Sequence, residues 1–367
     1  MSATNIEWAD RVWNPVTGCT KVSAGCKNCY AEGIAKRLWA TQYPPVDPSL
    51  ANGNGAPRPR RFTDVQTHED RLLEPLKWRK PARIFVNSMS DLFHEDVPDA
   101  FIDCVFGVMA LAPHHTFLVL TKRADRMRRY LASSARPDAV FDALYDARIA
   151  ERFGRQADAL MCRGMDRVES RGTHHAEWPL SNVHLGVSVE NQSTADERIP
   201  ELLQTPTAIR WVSYEPALGP VDFGNLRGGT FDALTGCGDR ERLHEWEETP
   251  SLDWTVVGGE SGHGARPFDI AWARRTVEQG KRAGVPVFVK QLGALPFEFV
   301  KDPGYHVDYA GDLRAFTMSL PKLESIGKAH GRIVHTICNQ QIRNCKGGDQ
   351  AEWPEDLRVR ELPEVRA

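Results

Sequence analysis

Three cysteines fall within eleven residues in "CTKVSAGCKNCY", the stretch from Cys19 to Tyr30. The spacing Cys-x6-Cys-x2-Cys sets Cys19, Cys26 and Cys29 in a loop that also holds Gly18 and Gly25. Three thiolates form a soft donor set, suited to zinc or to an iron–sulfur cluster. The two differ in what they need at the fourth position. A structural zinc takes four protein ligands, and its candidates here are distant: Cys104, Cys162, Cys237, His263, or the pair Cys338 and Cys345. A [4Fe–4S] cluster can instead be held by three cysteines with one iron open to S-adenosylmethionine, which chelates it through its amino and carboxylate groups. Electron transfer into the sulfonium then gives a 5′-deoxyadenosyl radical, chemistry that belongs to the cofactor. Inert cysteines are the third reading. Cys338 and Cys345, again six residues apart, are read as structural.

A second set of polar residues recurs at the ends of short apolar runs. It comprises Ser88, Ser90 and Asp91; Thr121, Lys122 and Arg123; Ser188, Glu190 and Asn191; Tyr214 and Glu215; Glu260 and Ser261; and Lys290 and Gln291. One such cluster is explained by a polar loop or a helix cap. Six of them point to side chains gathered at one mouth, as at the carboxyl ends of strands in parallel βα barrels.

The elements that must position these groups are legible as alternating strands and helices, the signature of βα units around a parallel sheet. Strands are expected at 83–88, 116–121, 183–189, 209–214, 254–259 and 285–290, with an earlier one within 6–16. Helices are expected at 97–112, opening at Asp96 with Pro98 in the first turn, at 124–131, at 193–204 after Asn191, and at 270–283 ending at Gly284. Another, at about 29–41, follows the cysteines, with Ile34 and Leu38 on one face. The fold class is therefore α/β, a TIM-like (β/α) barrel, partial or complete. Residues 1–323 form it, with insertions at about 44–61, 132–182 and 219–253, and the charged, Pro-punctuated 324–367 forms a C-terminal cap or tail.

Composition sets outer bounds. The 367 residues carry 26% charged side chains and a formal net charge of -3, which excludes a wholly polycationic or disordered chain. No leader pattern and no apolar run of about 18 residues is present, so a cytoplasmic protein without membrane insertion is expected, its cysteines reduced. Arg58, Arg60, Arg61, Arg71, Lys77, Arg79, Lys80 and Arg83, with Arg126, Arg128 and Arg129, make a modest nucleic-acid footprint or a solvated surface.

The segments "WNPVTGCTKVSAGCKNCYAE", "RIFVNSMSDLFHEDVP", "VHLGVSVEN", "RWVSYEPALGP", "VVGGESGHGARPFD", "VPVFVKQLG" and "KGGDQAEWPEDLRVREL" resemble a three-cysteine-motif family of uncharacterised phage and bacterial proteins, assigned to the radical SAM superfamily. The commonest signature of that superfamily separates its first two cysteines by three residues, and here six intervene. The resemblance implies a [4Fe–4S] cluster on Cys19, Cys26 and Cys29, S-adenosylmethionine as cofactor, and a flavodoxin- or ferredoxin-like electron donor. It places Ser88, Ser90 and Asp91 where the methionyl ammonium binds, Arg123 or Lys122 opposite the methionyl carboxylate, and Ser188, Glu190 and Asn191 at the ribose. Gly258, Gly259 and Glu260 read as an adenine or substrate wall, without the spacing or lysine of a nucleotide-phosphate loop. Glu215, Lys290 and Tyr30 are the catalytic candidates, the first two for substrate contacts or proton transfer. Tyr30 and Trp13 either pack over the cluster and exclude water or belong to the plain core. A nucleic-acid base or its precursor is the expected substrate class. The competing reading is a zinc-stabilised nucleic-acid-binding protein without catalysis, and a third is an iron–sulfur lyase or photolyase-like repair enzyme.

Overall fold

Every apolar run named above forms a strand in the computed structural model, which describes residues 4, 6–42, 60–146, 148–156, 178–229, 231–238, 250–262, 264–301, 332–336 and 347–363. The strands are β1 (Arg11–Trp13), β2 (Val16–Thr17), β3 (Gln66–Thr67), β4 (Arg83–Val86), β5 (Thr116–Thr121), β6 (Val183–Val189), β7 (Ile209–Tyr214), β8 (Trp254–Gly258), β9 (Phe268–Asp269), β10 (Val287–Gln291), β11 (Pro296–Lys301) and β12 (Arg332–Thr336). Seven of them make one sheet in the order β1-β4-β5-β6-β7-β8-β10. The pairs β1–β4, β4–β5, β7–β8 and β8–β10 are parallel. All seven residues of β6 and all five of β8 are buried, as expected when both faces of a parallel sheet are covered. The architecture is mixed α/β. β4 stops at Val86, two residues short of the expected end, because Asn87 takes a left-handed conformation with φ 60°.

The chain divides into two compact units, Met1–Gly186 with Thr205–Ala208, and Val187–Gln204 with Ile209–Ala367. The first holds β1, β4, β5 and the start of β6. Its longer helices include α1 (Tyr30–Gln42), α2 (Asp99–Leu111), α3 (Ala124–Leu131) and α4 (Arg136–Ala143). Pro98 caps α2 where a start at Asp96 was expected, a difference within ordinary fraying of helix ends. The buried stripe of α1 is Ala31, Ala35 and Trp39, with the expected Ile34 and Leu38 only half-buried. Small residues at 31 and 35 bring the helix backbone close to its support. Trp13 is core: it is wholly buried, stacks at 5.9 Å on Phe117 and donates Nε1–H to the Arg71 carbonyl at 2.9 Å.

The second unit holds the end of β6, then β7, β8 and β10, with α5 (Gln192–Leu203) and α6 (Ile270–Ala283). Asn191 caps α5 by a reciprocal capping box with Thr194. Asp269 caps α6, accepting from Ala271 N, and Gly284 ends it at φ 70°, the left-handed conformation that glycine adopts without cost. β9, β11 and β12 form a separate small sheet. Residues 347–363 run along β10: Arg360 bridges antiparallel to Phe288, and Val289 N donates to Val359 O at 2.8 Å. Residues 44–59 of the first expected insertion, 147 and 157–177 of the second, and 230 and 239–249 of the third lie outside the described residues, as do Cys162, Cys338, Cys345, His263 and Arg58.

Candidate functional site

In the first unit the connections leaving β1, β4 and β5 meet around the cysteines. Gly18 opens the loop at φ 93°, its N–H on Met89 O at 3.0 Å. A side chain there would stand 2.5 Å from Asp64 O, so only glycine lets the loop lie against its support. Cys19 N donates to Phe62 O at 2.8 Å, a single 3-10 turn spans Ala24–Cys26, and Cys29 O accepts from Gly33 N in the first turn of α1. All three thiols are unbridged and half-buried. Burial pushes Cys19 up to about 12, with Asp91 adding and Arg123 opposing. Burial also raises Cys29, and the charge of Cys26 acts in the same direction on both neighbours, so the three sulfurs share one electrostatic neighbourhood. Among the described residues no group of three His, Cys, Asp or Glu side chains is arranged to hold a metal ion. The donor chemistry nonetheless fits an iron–sulfur cluster: three soft thiols from one short loop, with a guanidinium N–H donating to one sulfur, Arg123 Nη1 to Cys19 Sγ at 3.7 Å.

Behind the loop, Asp91 and Arg123 form a buried brace. The Asp91 carboxylate accepts from Phe93 N (3.0 Å), Thr121 Oγ1 (2.8 Å), Lys122 N (3.1 Å) and Arg123 Nη1 (3.2 Å). Arg123 also donates from Nε to both oxygens of Glu95 at 3.0 Å, and from Nη2 to Thr20 Oγ1 at 2.8 Å. With four donors on its two oxygens, Asp91 orients Arg123 and the β4 and β5 connections. Ser88 Oγ donates to Asn14 Oδ1 at 3.2 Å, Ser90 Oγ to Val16 O at 2.8 Å, and Tyr30 O–H to Ser88 O at 2.7 Å. These ties run from the turn after β4 to the segment 14–16 that leads into the cysteine loop and, through Tyr30, to the start of α1. Asn14, Thr20, His94 and Glu95 belong to the same assembly and were not singled out in the sequence. His94, buried, meets Thr20 Oγ1 at 2.8 Å. The run "LFHED" directly after Asp91 was the available signal.

The second unit repeats the pattern at the ends of β6, β7, β8 and β10. Ser188 Oγ donates to Glu215 O at 3.0 Å. Glu190, wholly buried, pairs with Arg198 at 3.3 Å, and the Asn191 side chain is committed to the α5 cap. Glu260 is buried against Arg266, whose Nε (2.9 Å), Nη2 (2.6 Å) and backbone N (2.9 Å) all donate to it. Gly258 and Gly259 are packed tightly: side chains there would stand 2.8 Å from Glu215 Oε1 and 2.5 Å from Leu292 O. Glu215 pairs with Lys290 at 3.0 Å. The basic run is partly committed internally: Arg60 donates to Thr17 Oγ1 and stacks on Trp39, Arg83 pairs with Asp10, Arg126 with Asp99, and Arg129 with Asp125. No helix among the described residues is long and apolar enough to cross a membrane.

Comparison with curated proteins and with solved structures found no match. A family described as "Protein of unknown function (DUF5131)" matches residues 3–336, nearly the whole chain, and the protein belongs to that family.

Proposed function

We propose that the protein is a radical SAM-type iron–sulfur enzyme on a partial (β/α) barrel, with an electron donor of flavodoxin or ferredoxin type as its cytoplasmic partner. The observation that carries this reading is the loop of Cys19, Cys26 and Cys29, lying beside the carboxyl ends of parallel strands and backed by the Asp91–Arg123 brace. Cys19, Cys26 and Cys29 would hold the cluster. Bound there, a [4Fe–4S] cluster and S-adenosylmethionine supply reductive cleavage to a 5′-deoxyadenosyl radical. Arg123, donating to Cys19 Sγ, offsets the negative charge of the thiolates, and Asp91 and Glu95 hold it in place. The turn Ser88–Asp91 is tied to the loop through Gly18 N on Met89 O and to α1 through Tyr30, and it would receive the methionyl group.

Anaerobic reconstitution followed by iron, sulfide and zinc analysis tests the reading. About four irons per chain are expected, with an EPR spectrum of the reduced protein that changes on adding S-adenosylmethionine. Cys26→Ala should lose the iron. One zinc, no iron and no spectral response would replace this reading with the zinc-stabilised binding protein.

A further inference from the structure

Three glutamates follow β6, β7 and β8, and the fold treats one of them differently. Glu190 and Glu260 are each paired with an arginine from the segment that follows their own strand, Arg198 and Arg266, and all four side chains are 9% exposed or less. Those two pairs brace their own connections. Glu215 instead reaches across β8 to Lys290 of β10, Nζ to Oε1 at 3.0 Å, and Ser213 Oγ donates to its Oε2 at 3.2 Å. The crossing depends on glycine at 258, where a Cβ would lie 2.8 Å from Glu215 Oε1. Lys290 is the extra residue of a β-bulge between Val289 and Gln291, a device that re-aims a side chain at the end of a strand. The pair remains open to solvent, Lys290 at 23% and Glu215 at 12%.

The unused bonding capacity defines a ligand. A carboxylate accepts about four hydrogen bonds and an ammonium donates three. Among the described residues Glu215 accepts two from side chains, and Lys290 pairs with Glu215. What remains is an acceptor and a donor side by side, of opposite charge and net neutral. An anion captured by Lys290 would strand Glu215 without its counter-charge, and a cation on Glu215 would strand Lys290. A neutral ring with N–H and C=O on the same edge bonds both at once, through charge-assisted hydrogen bonds, and leaves the ion pair intact.

We propose that Glu215 and Lys290 bind a neutral heterocycle through a cis-amide edge, the lactam or imide of a ring, with its N–H on Glu215 and its C=O on Lys290. The role of this site as the substrate subsite rests on the enzymatic reading above, but binding itself does not need the cluster. The test is therefore made on metal-free protein, by saturation-transfer NMR with uridine and with N3-methyluridine, which lacks the N–H. Uridine should show transfer, with affinity falling about tenfold or more for N3-methyluridine and for Lys290→Met and Glu215→Gln, each of which loses a charge-assisted bond. Gly258→Ala keeps both groups but pushes Glu215 aside, and serves where a charge variant fails to fold. Equal transfer from both nucleosides, transfer that survives the variants, or transfer from glycine or methyl phosphate in place of uridine overturns the proposal. No transfer from any probe overturns it too, making the pair a strand brace while the iron and EPR results stand independently.

Discussion

At the residue scale, the chemistry of the cysteine loop rests on a side chain that the sequence showed only as one polar group among several. Asp91 was legible as an acid after an apolar run. Three of its four donors were not, because Thr121, Lys122 and Arg123 lie about thirty residues away, at and just beyond the end of β5, and meet it only through the β4–β5 pairing. Glu190 and Glu260 also look like open acids in the sequence, although their partners are local, Arg198 and Arg266 lying only eight and six residues further on. Asp91→Ala removes four acceptor contacts and leaves buried Arg123 facing Glu95, which is 64% exposed and a weak replacement. Breaking a buried pair from one side costs about 3–5 kcal/mol. Chemical denaturation of the variant should show a loss of that order, and a loss under about 1 kcal/mol, the worth of a surface pair, would rule out the brace.

At the element scale the sequence was most informative where local chemistry is self-sufficient. β5, β6, β7, α3 and α6 have the expected bounds, since β-branched runs, an acidic cap at Asp269 and Gly284 are local signals. The face of α1 was misjudged because hydrophobicity favoured Ile34 and Leu38, whereas close approach favours Ala31 and Ala35. The cover on β10 was read only as a cap, since a charged, Pro-rich segment carries no strand signal of its own. Yet Glu361 both donates to Val287 O and accepts from Val287 N, at 2.9 Å each, so the tail shields an edge that would otherwise invite pairing. Trp353 anchors it: the ring is 2% exposed, and Nε1 donates to Gly347 O at 2.9 Å. Trp353→Ala should cost about 3–5 kcal/mol and speed hydrogen exchange at Val287 and Val289. Unchanged protection of those amides would show that the tail holds without its anchor.

For the whole molecule, the sequence made the α/β class plain, but it could not show how burial sets the response to acid, because that depends on which histidines the fold encloses. His68, His94, His115 and His184 are all buried, and burial lowers each of them from the ordinary 6.5, His68 and His184 to about 4. Arg71 and Arg60 press His68 further down against Asp70, His114 and Arg11 act likewise on His115, and the Pro75 and Trp78 carbonyls oppose them at His115. Below pH 6.5 the unfolded chain takes up protons that the folded histidines refuse, so their contribution is whole above that value and is lost as pH falls toward 4. Asp269 works the other way. Burial raises it from 3.8 to about 6, so in that window the folded state holds a proton that the unfolded chain does not, and acidification favours folding. Four histidines against Asp269 leave a net loss, at about 1.4 kcal/mol per pH unit for each uncompensated proton. The melting temperature should therefore fall between about pH 7 and pH 5. His184→Gln should flatten that slope by about one proton, because burial is the cause of its shift. A melting temperature that rises on acidification, or a slope untouched in His184→Gln, would mean that these rings accept protons inside the fold and that the aspartate governs the acid limb.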